Sequence, residues 1–259
     1  MNISTIHKFL ATHTLSLKIC VKLRNQMNCV IQNYVANGCD MKFNGEFFII
    51  EHLINNCNSF VDVGANAGEW TDHIVRIQKD ITSFHIFEPQ YNLYENLCRK
   101  FALPNFYIHS EPLSNKIGDV NFKIEGRSSR INNNRVSSSN IIKSNRLDNI
   151  VQDPIDYVKI DCEGHDLQVI LGAEKLISKG YIKFITFEYN DLWLENSTSL
   201  SGFISFLKCY DFKVYRISQD SIVDFEYELL GDFYRYSNFI AIHNNYLHLV
   251  KEIISKDIY

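Results

Sequence analysis

No stretch of this chain approaches eighteen consecutive apolar residues, which excludes a membrane-spanning helix. No Cys-x-x-Cys pair occurs among Cys20, Cys29, Cys39, Cys57, Cys98, Cys162 and Cys209. Their scatter and odd number argue against a disulfide framework or a zinc site. They point to a reducing, cytoplasmic setting. A surplus of basic charge is missing too. The formal net charge is -4 and the pI about 6.1, so no nucleic-acid partner is expected. No internal repeat is visible.

Acidic residues are absent from positions 1–39, where Lys8, Lys18, Lys22 and Arg24 supply the charge. That absence alone fits a transit peptide or a membrane-surface helix. The apolar spacing favours another reading. Ile3, Ile6, Leu10, Leu17, Cys20, Met27, Ile31 and Tyr34 keep to one helical seam, with His13 and Arg24 filling the gaps. We read residues 1–41 as an extension of accessory helices, broken near 12–16. Its seam docks on a partner surface or pairs with a second copy. The run is too mixed for a signal peptide, and no small-residue cleavage site follows.

What is present is an ordinary globular composition: 259 residues, 46% hydrophobic and 22% charged. From residue 42 to 259 the pattern alternates. Strands are expected at 60–63, 83–87, 105–109, 157–160 and 183–187. Helices are expected at 47–55, 70–77, 91–101, 166–178 and within 200–210. Such alternation implies an α/β fold with a parallel sheet covered on both faces. Residues 119–124 read as an extra strand. The last two strands, 212–217 and 238–243, have no helix between them and read as an antiparallel edge. Residues 127–146 break the pattern. They are rich in Ser and Asn, with five basic side chains and no acid. Such a segment is either a solvated loop or a lid over a polar or anionic substrate.

Three motifs carry chemistry. The first is Asp62-Val-Gly64-Ala-Asn66-Ala-Gly68, between a short apolar strand and a helix start. Glycines in such a turn let backbone approach a nucleotide-like ligand. The central glycine of the dinucleotide fingerprint is missing, which disfavours a pyrophosphate. The second is Glu88, at the tip of the next strand, where a carboxylate can bind two ribose hydroxyls. The third is Asp161-Cys-Glu163-Gly-His165-Asp166. Four ionisable groups within six residues stand at the sheet's carboxyl edge. Asp161 and His165 are candidates for a base or a metal ligand. Glu163 and Asp166 are candidates for the same rim or for helix capping. Lys159 reads as structural, pointing away from the rim. Glu188 and Asn190 end the next strand. With Asp161 they form an all-oxygen set that suits a hard cation such as Mg2+, or a polyol. Tyr91, Tyr189 and Trp193 are either core or a platform for a sugar face.

These motifs together resemble the FkbM family of S-adenosylmethionine-dependent methyltransferases. The carriers are 61–68, 87–89, Leu113-Ser-Asn115, Arg146-Leu-Asp148, 159–165, Leu171-Gly-Ala173 and Phe187-Glu188. The resemblance covers roughly residues 42–243. It implies a class I methyltransferase fold, with a Rossmann-like, seven-stranded, mostly parallel sheet and an antiparallel last strand. It implies S-adenosylmethionine as cofactor, with Gly64, Asn66 and Gly68 around its methionine part and Asp62 nearby. It places Glu88 at the ribose and the segment 110–113, Glu111 included, at the adenine. Asp161, Glu163 and His165 then stand beside the transferred methyl group as catalytic candidates. The implied reaction is O-methylation of a sugar, polysaccharide or secondary metabolite. Competing readings are a non-catalytic scaffold that keeps the fold and a nicotinamide-dependent oxidoreductase.

Overall fold

A computed structural model describes residues 3–125, 128–131 and 140–255. The chain divides into two compact units, Met1–Ala36 and Asn37–Tyr259. The first unit is helical: α1 spans Ile3–Ala11 and α2 spans Thr14–Val35. The break falls at Thr12–His13, where the Thr12 hydroxyl donates to the Phe9 backbone oxygen at 2.7 Å. His13 is extended and caps α2. The seam residues Ile3, Ile6, Leu10, Leu17, Met27, Ile31 and Tyr34 are exposed.

The second unit alternates strand and helix. It begins with α3 (Glu46–Leu53), β1 (Ser59–Val63), α4 (Glu69–Ile77), β2 (Ser83–Phe87), α5 (Tyr91–Lys100) and β3 (Phe106–His109). Three strands follow without a helix: β4 (Gly118–Glu125), β5 (Ser128–Ile131) and β6 (Asn140–Ser144). Then come α6 (Leu147–Ile150), β7 (Ile155–Ile160), α7 (Asp166–Leu171), α8 (Glu174–Ser178), β8 (Ile182–Tyr189), α9 (Leu192–Glu195) and α10 (Leu200–Lys208). The last elements are β9 (Phe212–Ile217), β10 (Ile222–Asp224), α11 (Tyr227–Leu230) and β11 (Ser237–His243).

Among the described residues, eight strands form the main sheet in the order β10-β9-β11-β8-β7-β1-β2-β3. β3, β2, β1, β7 and β8 run parallel. β11 is antiparallel to both β8 and β9. The expected antiparallel edge is therefore an antiparallel strand set inside the sheet, and the added β10 makes the edge. This order, with its reversal at β1, is that of the class I methyltransferases. A crevice opens beyond the carboxyl ends of β1 and β7 at that reversal.

Strand alternation divides the core in two. Val61, Val63, Val158, Ile160, Ile185 and Phe187 bury against α7, α8 and α10 residues such as Val169, Leu176 and Phe203. Phe60, Phe84, Tyr157, Phe184 and Ile240 face Ile50 of α3, Trp70 and Ile74 of α4, and Leu97 of α5. Each such aromatic or branched side chain contributes about 1.5–3 kcal/mol. The expected helix over 166–178 is two helices. Gly172 lies between them, and a Cβ there would stand 2.2 Å from the Ser114 backbone oxygen. Tyr189 and Trp193 are fully buried, so core is their role. Tyr91 is exposed and donates to Glu95.

The polar segment 127–146 is not one long loop. β4 pairs with β5 and β6 in a three-stranded antiparallel sheet of order β5-β4-β6. Arg127 and Arg135 lie outside the described residues.

Candidate active site

A cleft of about 670 Å³, open solvent included, lies over the carboxyl tips of β1, β2 and β7. Gly64 and Asn66 form one wall, with Phe87, Glu88 and Pro89 beside them. Asp161, Cys162, Glu163 and His165 form a second, and Pro112 and Leu113 a third. Phe122, Arg130 and Ile131 of the three-stranded sheet close the fourth side. Arg130 and Ile131 belong to the segment read as a loop or a lid, whereas Phe122 and Leu93 were not singled out in the sequence.

The turn after β1 is held by the tip of β2. Gly64 and Ala65 N–H both donate to the Phe87 oxygen, at 3.0 and 3.1 Å. Gly64 sits at φ +81°, and a Cβ there would stand 1.9 Å from the Asp161 oxygen. Its missing side chain thus admits the β7 tip. Gly68, at φ +74°, makes room for Leu97 and Phe101 in the same way, and it does not line the cleft. Asn66 has φ +50° and does line it.

Glu88 is buried at the foot of the cleft, and two backbone donors fix its carboxylate. Asn66 N–H reaches Oε2 at 2.9 Å and Gln90 N–H reaches Oε1 at 2.8 Å. Burial raises its pKa, and the two donors oppose that shift. Each oxygen keeps a lone pair for a further donor. Asp62 stands elsewhere. It is fully buried on the α4 side of the sheet, accepts the Thr71 hydroxyl at 2.7 Å and does not line the cleft. Glu111 is exposed and off the walls, while its neighbours Pro112 and Leu113 are on them.

Lys159 turns toward the rim rather than away from it. Its ammonium meets Asp161 Oδ2 at 3.0 Å and Asp62 Oδ1 at 3.9 Å. Burial opposes that charge, but Asp161, Asp62 and Glu46 outweigh it and raise the Lys159 pKa. Asp161 leaves about a third of its side chain exposed, 35%, and faces the cleft. His165 is buried, with Nε2 3.1 Å from the Ser114 hydroxyl and no protein partner at Nδ1. Burial brings its pKa down to about 4, so the ring is neutral at neutral pH. Burial and the Asp161 charge raise the pKa of Glu163. Its φ of +51° belongs to the tight turn with Gly164.

The expected cation set does not fit Mg2+. Asn190 Nδ2 donates to Glu188 Oε1 at 2.5 Å, and its Oδ1 accepts Leu192 N–H at 2.9 Å. Both ends of that amide are thus engaged within the protein. Burial, then Asp161, Asp166 and Glu163, push the Glu188 pKa up to about 9, which makes it a neutral acid. Lys159 already neutralises Asp161. Among the described residues, no group of three or more His, Cys, Asp or Glu side chains is arranged to hold a metal.

The Methyltransferase FkbM domain model matches residues 62–214. The chain belongs to that family. Its methyltransferase fold implies S-adenosylmethionine as methyl donor. The cleft fits such a ligand in the twice-held Glu88 carboxylate and in the orphaned His165 Nδ1. None of the curated proteins matches the chain. Among solved structures it is similar to the FkbM methyltransferase of Methylobacillus flagellatus KT, at 15% identity and a TM-score of 0.47. That match covers 71% of this chain and 44% of that one, so this chain spans less than half the length of the Methylobacillus protein. An rRNA methylase of Streptococcus thermophilus is 9% identical over 74% of this chain and 92% of its own, with a TM-score of 0.43. A precorrin-6y C5,15-methyltransferase of Geobacter metallireducens GS-15 is 11% identical over 81% and 95%, with a TM-score of 0.41.

Proposed function

We propose that this FkbM-family protein methylates a hydroxyl oxygen of a small-molecule or glycan acceptor. The observation that carries the reading is Asp161. Asp161 lines the cleft, and its part-exposed carboxylate is ion-paired with the buried Lys159 at 3.0 Å. Bound S-adenosylmethionine would supply a methyl group already activated on a sulfonium. The chain's own residues then have two tasks, alignment and proton removal. Glu88 and Asn66 hold the ribose side of the donor. Pro112 and Leu113 lie along its base. Asp161 orients the acceptor hydroxyl and takes its proton, and Lys159 fixes the carboxylate that does so. His165, neutral and tied to Ser114, positions the β7 turn.

The chain's excess of acid over base favours a neutral acceptor over a polynucleotide. Labelled methyl transfer from S-adenosylmethionine to a panel of hydroxylated acceptors tests the reading. We expect a base-stable methyl ether, unchanged yield in EDTA and no product from the Glu88→Ala variant. Calorimetry on that variant should show donor binding lost. A base-labile methyl ester or an N-methyl product would sink the hydroxyl assignment. Unchanged donor binding in the variant would sink the role of Glu88. Donor binding with no turnover on any acceptor would instead favour a scaffold.

A further inference from the structure

We propose that α1 and α2 bind an anionic lipid surface. The proposal stands apart from the methyl-transfer reading and rests on charge and exposure. Residues 1–39 hold four Lys and Arg side chains and no acid. The other 220 residues hold 22 Lys and Arg against all 30 acids of the chain. Acids are therefore confined to the rest of the chain, which leaves residues 1–39 at a formal net charge of +4 and the other 220 at -8.

The same segment exposes its apolar side chains. In α2, helical spacing puts Ile19, Leu23, Met27, Val30 and Ile31 on one stripe. They are 52%, 57%, 57%, 66% and 39% exposed. Lys18, Lys22 and Asn25 occupy the opposite side. In α1, Ile3, Ile6 and Leu10 form a second stripe, and Phe9 is 60% exposed. Apolar area left in water at this density needs an occupant. α2 is 22 residues long, about 33 Å, yet no helix of the described residues is long and apolar enough to cross a membrane. An apolar stripe opposite a lysine-bearing polar face suits a helix that lies in the headgroup plane.

Charge decides between occupants. A second copy pairing the same helices would bring two basic segments together with no acid on either to relieve them. An anionic bilayer complements the lysines and takes up the apolar stripe at once.

Flotation of the full chain tests this, with vesicles of phosphatidylcholine alone or with one third phosphatidylserine. We expect flotation with the anionic vesicles only, and its loss in about 0.5 M salt. The triple variant K18Q/K22Q/R24Q should bind on the order of a hundredfold more weakly. Leu23→Glu with Met27→Glu should abolish flotation while the far-UV spectrum and donor binding persist. No flotation of the unaltered chain would overturn the proposal without recourse to any variant. Equal binding to neutral vesicles would overturn the charge argument. A dimer in sedimentation that Leu23→Glu with Met27→Glu breaks, in a chain that ignores vesicles, would assign the stripe to a second copy.

Discussion

Asp161 and His165 sit four residues apart on one turn, yet their surroundings give them different work. Asp161 is part-exposed to the cleft and held by an ammonium. His165 is buried, and its bonded nitrogen faces Ser114 rather than Asp161. A general base supplies about 10²–10⁴-fold in rate. We therefore expect Asp161→Asn to lower kcat by about that factor, with donor affinity within a few fold of the parent. His165→Asn should raise KM for the donor more than it lowers kcat, because its Nε2 contact with Ser114 holds the wall that carries Leu113. Steady-state kinetics with donor calorimetry separates the two. Equal loss of kcat in both variants would make them a coupled pair and remove the distinction drawn here. The acid cluster was legible in the sequence as a rim because acids at a strand tip have few structural uses. The division of labour was not, because burial and the Lys159 contact come from neighbouring strands.

At the scale of elements, three family motifs turn out to be one clamp. Arg146 grips Asp148 with Nε to Oδ1 at 2.9 Å and Nη2 to Oδ2 at 2.7 Å. The same guanidinium reaches the Asn115 oxygen at 2.5 Å and the Leu171 oxygen at 3.2 Å. Asp148 N–H in turn donates to the Gly172 oxygen at 3.0 Å. The segment carrying Pro112 and Leu113 is thus tied to the end of α7. Lysine cannot reproduce a planar fork with four contacts. We expect Arg146→Lys to cost about 1–3 kcal/mol in urea unfolding and to weaken donor binding through the loosened wall. Unchanged stability would mean the clamp is incidental. The strand tips, helix starts and β1 turn were readable because glycines and acids punctuate them at short range. The inside position of β11 was not, since nothing local in 238–243 says which strands flank it. β5 and β6 escaped because their polar run lacks the alternation that marks a half-buried strand. Of that stretch, Ile131 stands buried against the cleft. Residues 1–39 were readable as helices with a seam, because periodicity survives without a tertiary partner.

On the scale of the whole molecule, buried carboxylates set the pH response of stability. Burial pushes Glu188 from an ordinary 4.5 up to about 9. Asp62, Glu46 and Asp166 are raised by burial too. A group whose folded pKa is raised stabilises fully below its unfolded pKa and loses that contribution as pH climbs toward the folded value. His165 has the opposite sign. Its folded pKa of about 4 lies below the ordinary 6.5, so its contribution grows as pH rises through that interval. Between pH 4.5 and 6.5 the histidine offsets about one of these carboxylates and softens the fall. Above 6.5 the carboxylates act unopposed and stability falls. The slope from one such group approaches 1.4 kcal/mol per pH unit, or roughly 2–3 kcal/mol from pH 7 to 9. Glu188→Gln keeps the volume and removes that titration. We expect the variant to lose less Tm than the parent between pH 7 and 9, by a margin matching that share, while their curves run parallel below pH 4. Parallel curves across the alkaline range would show that Glu188 is ionised in the folded chain. Added magnesium should leave both curves in place, because a neutral acid bonded to an amide has no charge to offer a cation.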